Sequence, residues 1–402
     1  MRCILGKVKT LGLSSRAGLL KPSPTLAITA RAKALMASGE DVISLAAGEP
    51  DFDTPGSICD AAVAAIRGGL TKYTPTAGLA TLRQAICQKL LRENRIEYTP
   101  EQVVVSCGAK HSVYNALMSL VGPGDEVILV APYWMTYAEQ VALAGASCRI
   151  ARTSGESSFV PSIEALREQI TDRTRAIIIN SPCNPTGAVF PRQTLKEIAA
   201  LALRHGFWII ADEIYERLTY GAEHVSIASL GRDVAEQTVT INGVSKTYSM
   251  TGWRIGYAAA PLPVARAMCN LQDQVTSNPT SFAQAGAIAA LEMPSEDITA
   301  MRATFEARRD LLIGLLEKVP GIRCSVPSGA FYVLADVSAY CTGRAKSDAD
   351  LAEYLLDEAK VAVIPGSVFE APGHIRISYA SSESDLRRGI ERLAAALEKL
   401  SA

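Results

Sequence analysis

Residues 207–218 read FWIIADEIYERL, a mostly apolar run that ends on a carboxylate. Phe207 to Ala211 are predicted to form a buried strand, which puts Asp212 at its carboxyl end, where open α/β sheets hold their ligands. Read alone, Asp212 is better taken as the N-cap of a following helix, and Tyr215 is ambiguous. Working outward, apolar runs with the same character recur at 103–106, 126–130, 176–180, 238–241 and 255–260. Helical patterns lie between them at 79–92, 110–120, 135–143, 162–170 and 193–204. Strand and helix in alternation build a mostly parallel sheet covered on both faces, so the fold class is α/β. Beyond Pro294 the pattern changes to a charge-rich helical stretch over 296–318, strands near 331–335, 361–364 and 374–379, and a last helix running from an N-cap at Ser382 to about Lys399. The expected division is a large α/β domain over 51–295, a smaller α+β domain over 296–402, and an N-terminal segment 1–50 packing with the smaller one.

Composition narrows the function. At about 150 residues per domain, 402 residues give two to three domains and a substantial core. Forty Lys and Arg against 41 Asp and Glu leave a net charge of −1, so no global field draws in nucleic acid or anionic lipid, and any anion is bound locally. No apolar run reaches the roughly 18 residues of a membrane span. The opening MRCILGKVKTLGLSSRAGLL breaks the continuous apolar core of a secretion signal with charges and glycines, so the expected location is the cytoplasm. Nine cysteines, without one C-x-x-C, and four histidines, without H-E-x-x-H spacing, give no disulfide framework and no metal site. The cysteines read as reduced core fillers. Neither a P-loop nor a dinucleotide-binding glycine motif is present.

Three further segments carry chemistry. In TVTINGVSKTYSMTGWRIGYAA (238–259), a strand runs into a tight turn holding Ser245 and Lys246, with Arg254 bracketed by Gly252 and Gly256. A lysine in such a bend beside a cation loses hydration and proton affinity, which frees its amine for imine formation. In isolation it also reads as a solvated loop lysine. NSPCNPTGAVF (180–190) brings the amide of Asn184 to the end of another strand, and VVVSCGAKHSVYNAL (103–117) opens a helix at Gly108, Ala109 and Lys110, where free backbone N–H groups favour a phosphate. A phosphorylated pyridine aldehyde requires an acid for its ring nitrogen, a lysine for its aldehyde, donors for its phenolate and cations for its phosphate. Asp212, Lys246, Asn184 with Tyr215, and Arg254 with the helix start complete that set.

At this point the sequence resembles the class I, fold-type I pyridoxal-phosphate aminotransferases. The matching strings are AGEPDFDTP (47–55), KYTPTAGLATLR (72–83), PYW (132–134), NSPCNPTG (180–187), ADEIYE (211–216), SKTYSMTGWRIGY (245–257), PSGAFYVL (327–334) and HIRISYA (374–380), in the family's order over nearly the whole chain. Within the family it looks most like the bacterial and plastid-type aspartate aminotransferases and their prephenate-using relatives. The resemblance implies a seven-stranded sheet in the large domain and the cofactor pyridoxal 5'-phosphate. It makes Lys246 the Schiff-base lysine and Asp212 the partner of the ring nitrogen. Tyr215 and Asn184 would bind the phenolate and Trp134 would stack on the ring. Arg254, Ser245 and the amides of Gly108, Ala109 and Lys110 would hold the phosphate, reached also by Tyr73 of a neighbouring subunit in a homodimer. Arg376, helped by Gly48, would grip the substrate α-carboxylate, while Lys110 and Thr25 would meet a distal carboxylate. The family's serine two residues before Ser245 is Gly243 here.

The implied activity is transfer of an amino group from an acidic amino acid, aspartate first, to 2-oxoglutarate by a ping-pong mechanism. Prephenate or arogenate is the alternative substrate. A pyridoxal-phosphate lyase and an idle cofactor-binding regulator stay open, because fold alone does not separate them. The expected partners are small amino and oxo acids, with no nucleic acid, membrane or metal.

Overall fold

The computed structural model describes residues 12–14, 17–18, 20 and 24–401, the side chains of 24–26 and 401 excepted. A helix over Pro24–Ala37 leads to strand β1 (Ile43–Ser44). The larger sheet is built from β2 (Val103–Ser106), β3 (Glu126–Ala131), β4 (Ser147–Arg152), β5 (Thr174–Asn180), β6 (Trp208–Asp212), β7 (Thr238–Gly243) and β8 (Gly256–Ala259). Its order is β2-β8-β7-β6-β5-β3-β4; β8 runs antiparallel to both its neighbours and the remaining pairings are parallel. Strands β2, β3, β7 and β8 are buried at every position, which is why they read as continuous apolar runs.

A second sheet joins β9 (Arg323–Cys324), β10 (Tyr332–Asp336), β12 (Ile364–Pro365) and β13 (His374–Ser378), while β11 (Val361–Ala362) pairs in parallel with β1. The long helix Ser295–Leu316 and the final helix Glu383–Ser401 pack on it. Ser382 caps the latter, its hydroxyl accepting the Asp385 N–H at 3.0 Å. The apolar cluster around Phe305, Leu312 and Leu316 takes in Leu45 from the N-terminal segment and Ile214 and Tyr215 from the end of β6. The two sheets meet in another apolar cluster, where Ile177, Ile179, Ile209 and Ala211 of the larger sheet pack with Leu334 of β10. No helix among the described residues is long and apolar enough to cross a membrane.

Several elements depart from expectation: β9 was not expected, and the strand expected near 361–364 divides between β11 and β12, which lie in different sheets. Strand β4 (SCRIAR) was not anticipated: it lies at the sheet edge with only Ala151 fully buried, so its two arginines mask the pattern. The helix expected over 79–92 is α-helical over Ala80–Lys89 and continues as one π turn to Asn94, ending at Arg95 in the left-handed region with φ 58°. The helix expected over 162–170 shortens to Ile163–Arg167.

The register of β7 and β8 pairs Gly243 with Gly256. A Cβ on Gly256 would fall on the backbone of Gly108 and Ala109, and one on Gly243 would stand 3.0 Å from both Gly256 Cα and the Ile255 carbonyl oxygen. Two bare positions therefore let the start of the helix Ala109–Leu120 sit against the sheet. Gly256→Ala is expected to lower the unfolding free energy by about 1–3 kcal/mol or more, measured as a fall in the denaturant midpoint; an unchanged midpoint would contradict this close approach.

Candidate active site

The carboxyl ends of the parallel strands converge, because register sets Asn180 beside Asp212 and Asp212 beside Ile241. Over them opens a cavity of about 640 Å³, lined by Asn180, Asn184, Asp212, Tyr215, Ser245, Lys246, Arg254 and Arg376, with Gly48, Ala109, Lys110 and Trp134 at its walls. The helix Pro24–Ala37 contributes Thr29, Ala32, Lys33 and Met36, spaced as one helical face.

Asp212 is 3% exposed. Its Oδ2 accepts the Tyr137 hydroxyl at 2.6 Å and its Oδ1 the Ile214 N–H at 3.2 Å. This local turn, not a helix N-cap, is what the side chain supports. Burial pushes its carboxyl up to about 6, against the lowering effect of those two hydrogen bonds. Lys246 stands across the cavity, donating from Nζ to the Gly48 carbonyl at 2.6 Å, with Nζ 5.8 Å from the Tyr215 ring centroid. Loss of hydration brings its ammonium down to about 8; Glu49 opposes this, and Arg376 and Arg254 add to it. The Tyr215 hydroxyl meets that of Tyr332 at 3.0 Å.

Arg376, 4% exposed, projects from β13, donating from Nη1 to Asn184 Oδ1 and from Nη2 to the Ala46 carbonyl, each at 2.9 Å. Its guanidinium lies 4.3 Å from the centroid of the Tyr332 ring, and its buried Nε has no partner among the described residues. Because Asn184 accepts through Oδ1, its amide nitrogen is left for the cavity. Arg254 adopts the left-handed region at φ 57° and donates to the Thr251 carbonyl at 2.8 Å. Gly108, with φ 87°, precedes the helix Ala109–Leu120; a Cβ there would collide with the Arg254 guanidinium, so glycine lets that cation stand close to the start of this helix. The Lys110 ammonium sits 4.9 Å from the Trp134 ring centroid, and burial, with Arg254, lowers its proton affinity.

The structure thus brings together Lys246, Asp212, Tyr215, Asn184, Ser245, Arg254, Arg376, Trp134, Gly48, Ala109 and Lys110, with Gly108 immediately behind the wall. Tyr73 does not join them: it is 92% exposed and outside the cavity lining. The side chain of Thr25 lies outside the described residues. Tyr137 and Tyr332 were missed by sequence reasoning, although Tyr332 stands in the quoted string PSGAFYVL and Tyr137 three residues beyond Trp134.

Behind Asp212 lies a second polar cluster. Glu213 accepts from Ser226 Oγ at 2.7 Å and meets His224 Nε2 at 3.3 Å. Glu216 accepts from Lys89 and from Asn94 Nδ2, the latter at 2.6 Å, and Arg217 pairs with Glu93 at 2.6 Å. Ligand atoms of Glu213, Glu216 and His224 come within 4.8 Å of one another, yet the Lys89 ammonium already supplies the cation there.

A buried acid with no ion pair among the described residues, an amine facing it, and a glycine-lined anion cradle beside Arg254 fit a protonated, phosphorylated pyridine. Sheet and site together define a pyridoxal-phosphate enzyme of fold type I. The sequence profile of the family described as "Aminotransferase class I and II" matches residues 40–393. A probable aspartate/prephenate aminotransferase of Aquifex aeolicus (strain VF5) is 50% identical over 392 residues, 97% of this chain and 99% of that protein. An aspartate aminotransferase of Bacillus subtilis (strain 168) is 48% identical over 389 residues, covering 96% and 99%. The solved structure of the Thermus thermophilus aspartate aminotransferase with maleate matches with a TM-score of 0.92 at 44% identity, covering 96% of this chain and 100% of that one. The chain belongs to the class I and II aminotransferases. Its cofactor is pyridoxal 5'-phosphate.

The raised acid has a cost visible without cofactor. With a folded value of about 6 against the usual 3.8, the folded chain binds more protons across that interval, so the stability this group contributes is complete below 3.8 and is lost as pH rises through about 6. In the cofactor-free chain, Asp212→Asn should be more stable than the parent above about pH 6 and equal to it near pH 4. Denaturant titrations at the two pH values check this, and a pH-independent difference would refute it.

Proposed function

We propose that this aminotransferase moves the amino group of an acidic amino acid, aspartate first, to 2-oxoglutarate in two half-reactions. The observation that carries the reading is Lys246 facing the buried Asp212 across a cavity with arginines at two sides. Bound pyridoxal 5'-phosphate supplies an aldehyde that condenses with amines and a ring that takes up the electrons released at the substrate α-carbon. Lys246 Nζ would hold that aldehyde, and the same amine would carry the proton of the substrate α-carbon, for which a lowered proton affinity suits it. Asp212 would keep the ring nitrogen protonated. Tyr215 Oη and Asn184 Nδ2 would donate to the phenolate oxygen, and Trp134 would stack on the ring. Arg254, Ser245 and the amides of Gly108, Ala109 and Lys110 would hold the phosphate; Gly243 in place of a serine leaves one hydroxyl fewer there.

Arg376 clamps the α-carboxylate with its fork, alongside Gly48. Lys110, also in the cavity lining, would meet the distal carboxylate. Acidic substrates are favoured by the names of the relatives and by the dicarboxylate maleate in the Thermus structure. Prephenate is the second reading, supported by the Aquifex name.

The division into 1–50, 51–295 and 296–402 belongs to this proposal, as do a cytoplasmic location and a homodimer. Tyr73, exposed and outside the lining of its own cavity, is suited to complete the phosphate site of a second copy.

Two experiments test the reading. Lys246→Ala should abolish turnover and the borohydride-trapped adduct at that position; substantial residual activity would refute the lysine's role. Half-reactions with aspartate, arogenate, alanine and aromatic donors, run with and without Lys110→Ala, should show kcat/KM falling about tenfold or more for the acidic donors alone. An equal loss across donors would refute distal-carboxylate recognition by Lys110.

A further inference from the structure

Tyr137 lies in the first turn of the helix Thr136–Leu143 and is 2% exposed. Its ring meets the edge of Trp134 at 5.4 Å and an interplanar angle of 87°, and its hydroxyl reaches Asp212 Oδ2 at 2.6 Å. A carboxylate only accepts, so the phenol donates. We propose that Tyr137 is a positioning residue: its O–H fixes the Asp212 carboxylate and holds it ionised, so that the proton between this acid and the cofactor stays on the ring nitrogen.

The inference rests on Asp212 being the ring partner, as set out above. The titratable groups around Asp212 are Tyr137, Glu213, Lys246, Tyr215 and Cys183. Glu213 turns to Ser226 and His224 on the far side, Tyr215 to Tyr332, Lys246 to Gly48, and Cys183 to the Pro132 carbonyl. The other donor to the acid, the Ile214 N–H on Oδ1, belongs to the backbone and cannot be tuned by substitution. Tyr137 is therefore the one side chain in hydrogen bond with this carboxyl among the described residues. Burial raises the phenol's own pKa well above its usual value, so it remains a donor at working pH. Without it the carboxylate becomes more basic, draws the proton off the ring nitrogen and weakens the ring as an electron acceptor.

Tyr137→Phe removes one oxygen and leaves the aromatic packing. In the holoenzyme the pH midpoint of the bound cofactor's visible absorption should rise by about half a unit or more, because a neutral ring nitrogen strengthens proton binding at the imine. Donor kcat should fall about tenfold or more, with KM changed less than about twofold. In an Asp212→Asn background the same substitution should move the midpoint no further. An intact visible band with an unchanged midpoint, or an equal shift in the Asp212→Asn background, would overturn the inference. A parent protein without a visible band or a reducible adduct at Lys246 would instead overturn the functional reading on which it rests. Should Tyr137→Phe not fold, 3-fluorotyrosine placed at 137 alone provides a stronger donor of nearly equal size. It should lower the midpoint, and an unchanged or raised midpoint would again overturn the inference.

Discussion

A carboxyl group buried at the end of a strand, without an ion pair among the described residues, is the constraint around which this structure is arranged. Burying a charge is expensive, and proteins ordinarily offset the cost with an opposite charge or avoid it by neutralisation. Among the described residues Asp212 has a phenol and one backbone amide as hydrogen-bond donors, and burial raises its proton affinity against them. The surrounding architecture keeps it there: β5 and β7 flank it in register, the Tyr137 helix approaches from one side and the Tyr215–Tyr332 pair from the other. A site that is costly in the isolated chain is complementary to a positively charged guest, and the guest's binding energy is what makes the arrangement tolerable.

The turn after β6 divides its side chains between two environments. Asp212 and Tyr215 face the cavity, whereas Glu213 and Glu216 face a buried set containing Lys89, Asn94, His224 and Ser226. Glu93 pairs with Lys89, Arg92 and Arg217, and a charged His224 imidazole adds a further cation beside Glu213. Burial opposes that charge, but the hydrogen bond and charge of Glu213 prevail and raise the His224 pKa. Networks of this kind fix geometry more than they add stability, since breaking one partner strands another. Here the geometry fixed is that of the two residues presented to the cavity.

How much of this could be read in advance depended on whether a residue's role was local. Strands buried on both faces announced themselves as apolar runs, and Asp212, Lys246 and Asn184 followed because each sits at a strand end or in a punctuated turn. Edge strand β4 did not, since one face is wet and its arginines break the run. Tyr137 and Tyr332 were illegible because their importance is created by long-range contact: 75 residues separate Tyr137 from Asp212, and 117 separate Tyr332 from Tyr215. Gly243 was legible only as a missing hydroxyl. Its close approach to Gly256 gives that absence a packing reason.

The anion cradle owes its form to hydrogens where other residues carry carbon: Gly108 beneath the Arg254 guanidinium, Gly256 against the helix start, Gly243 opposite it. Surfaces made of main chain have no side-chain torsions to hop among, so this part of the cavity inherits the stiffness of the sheet. A methyl group added at Gly108 or Gly256 would meet the Arg254 guanidinium or the helix start, whereas Lys110, Lys33 and Met36 line the same cavity with long side chains that can take up other torsions.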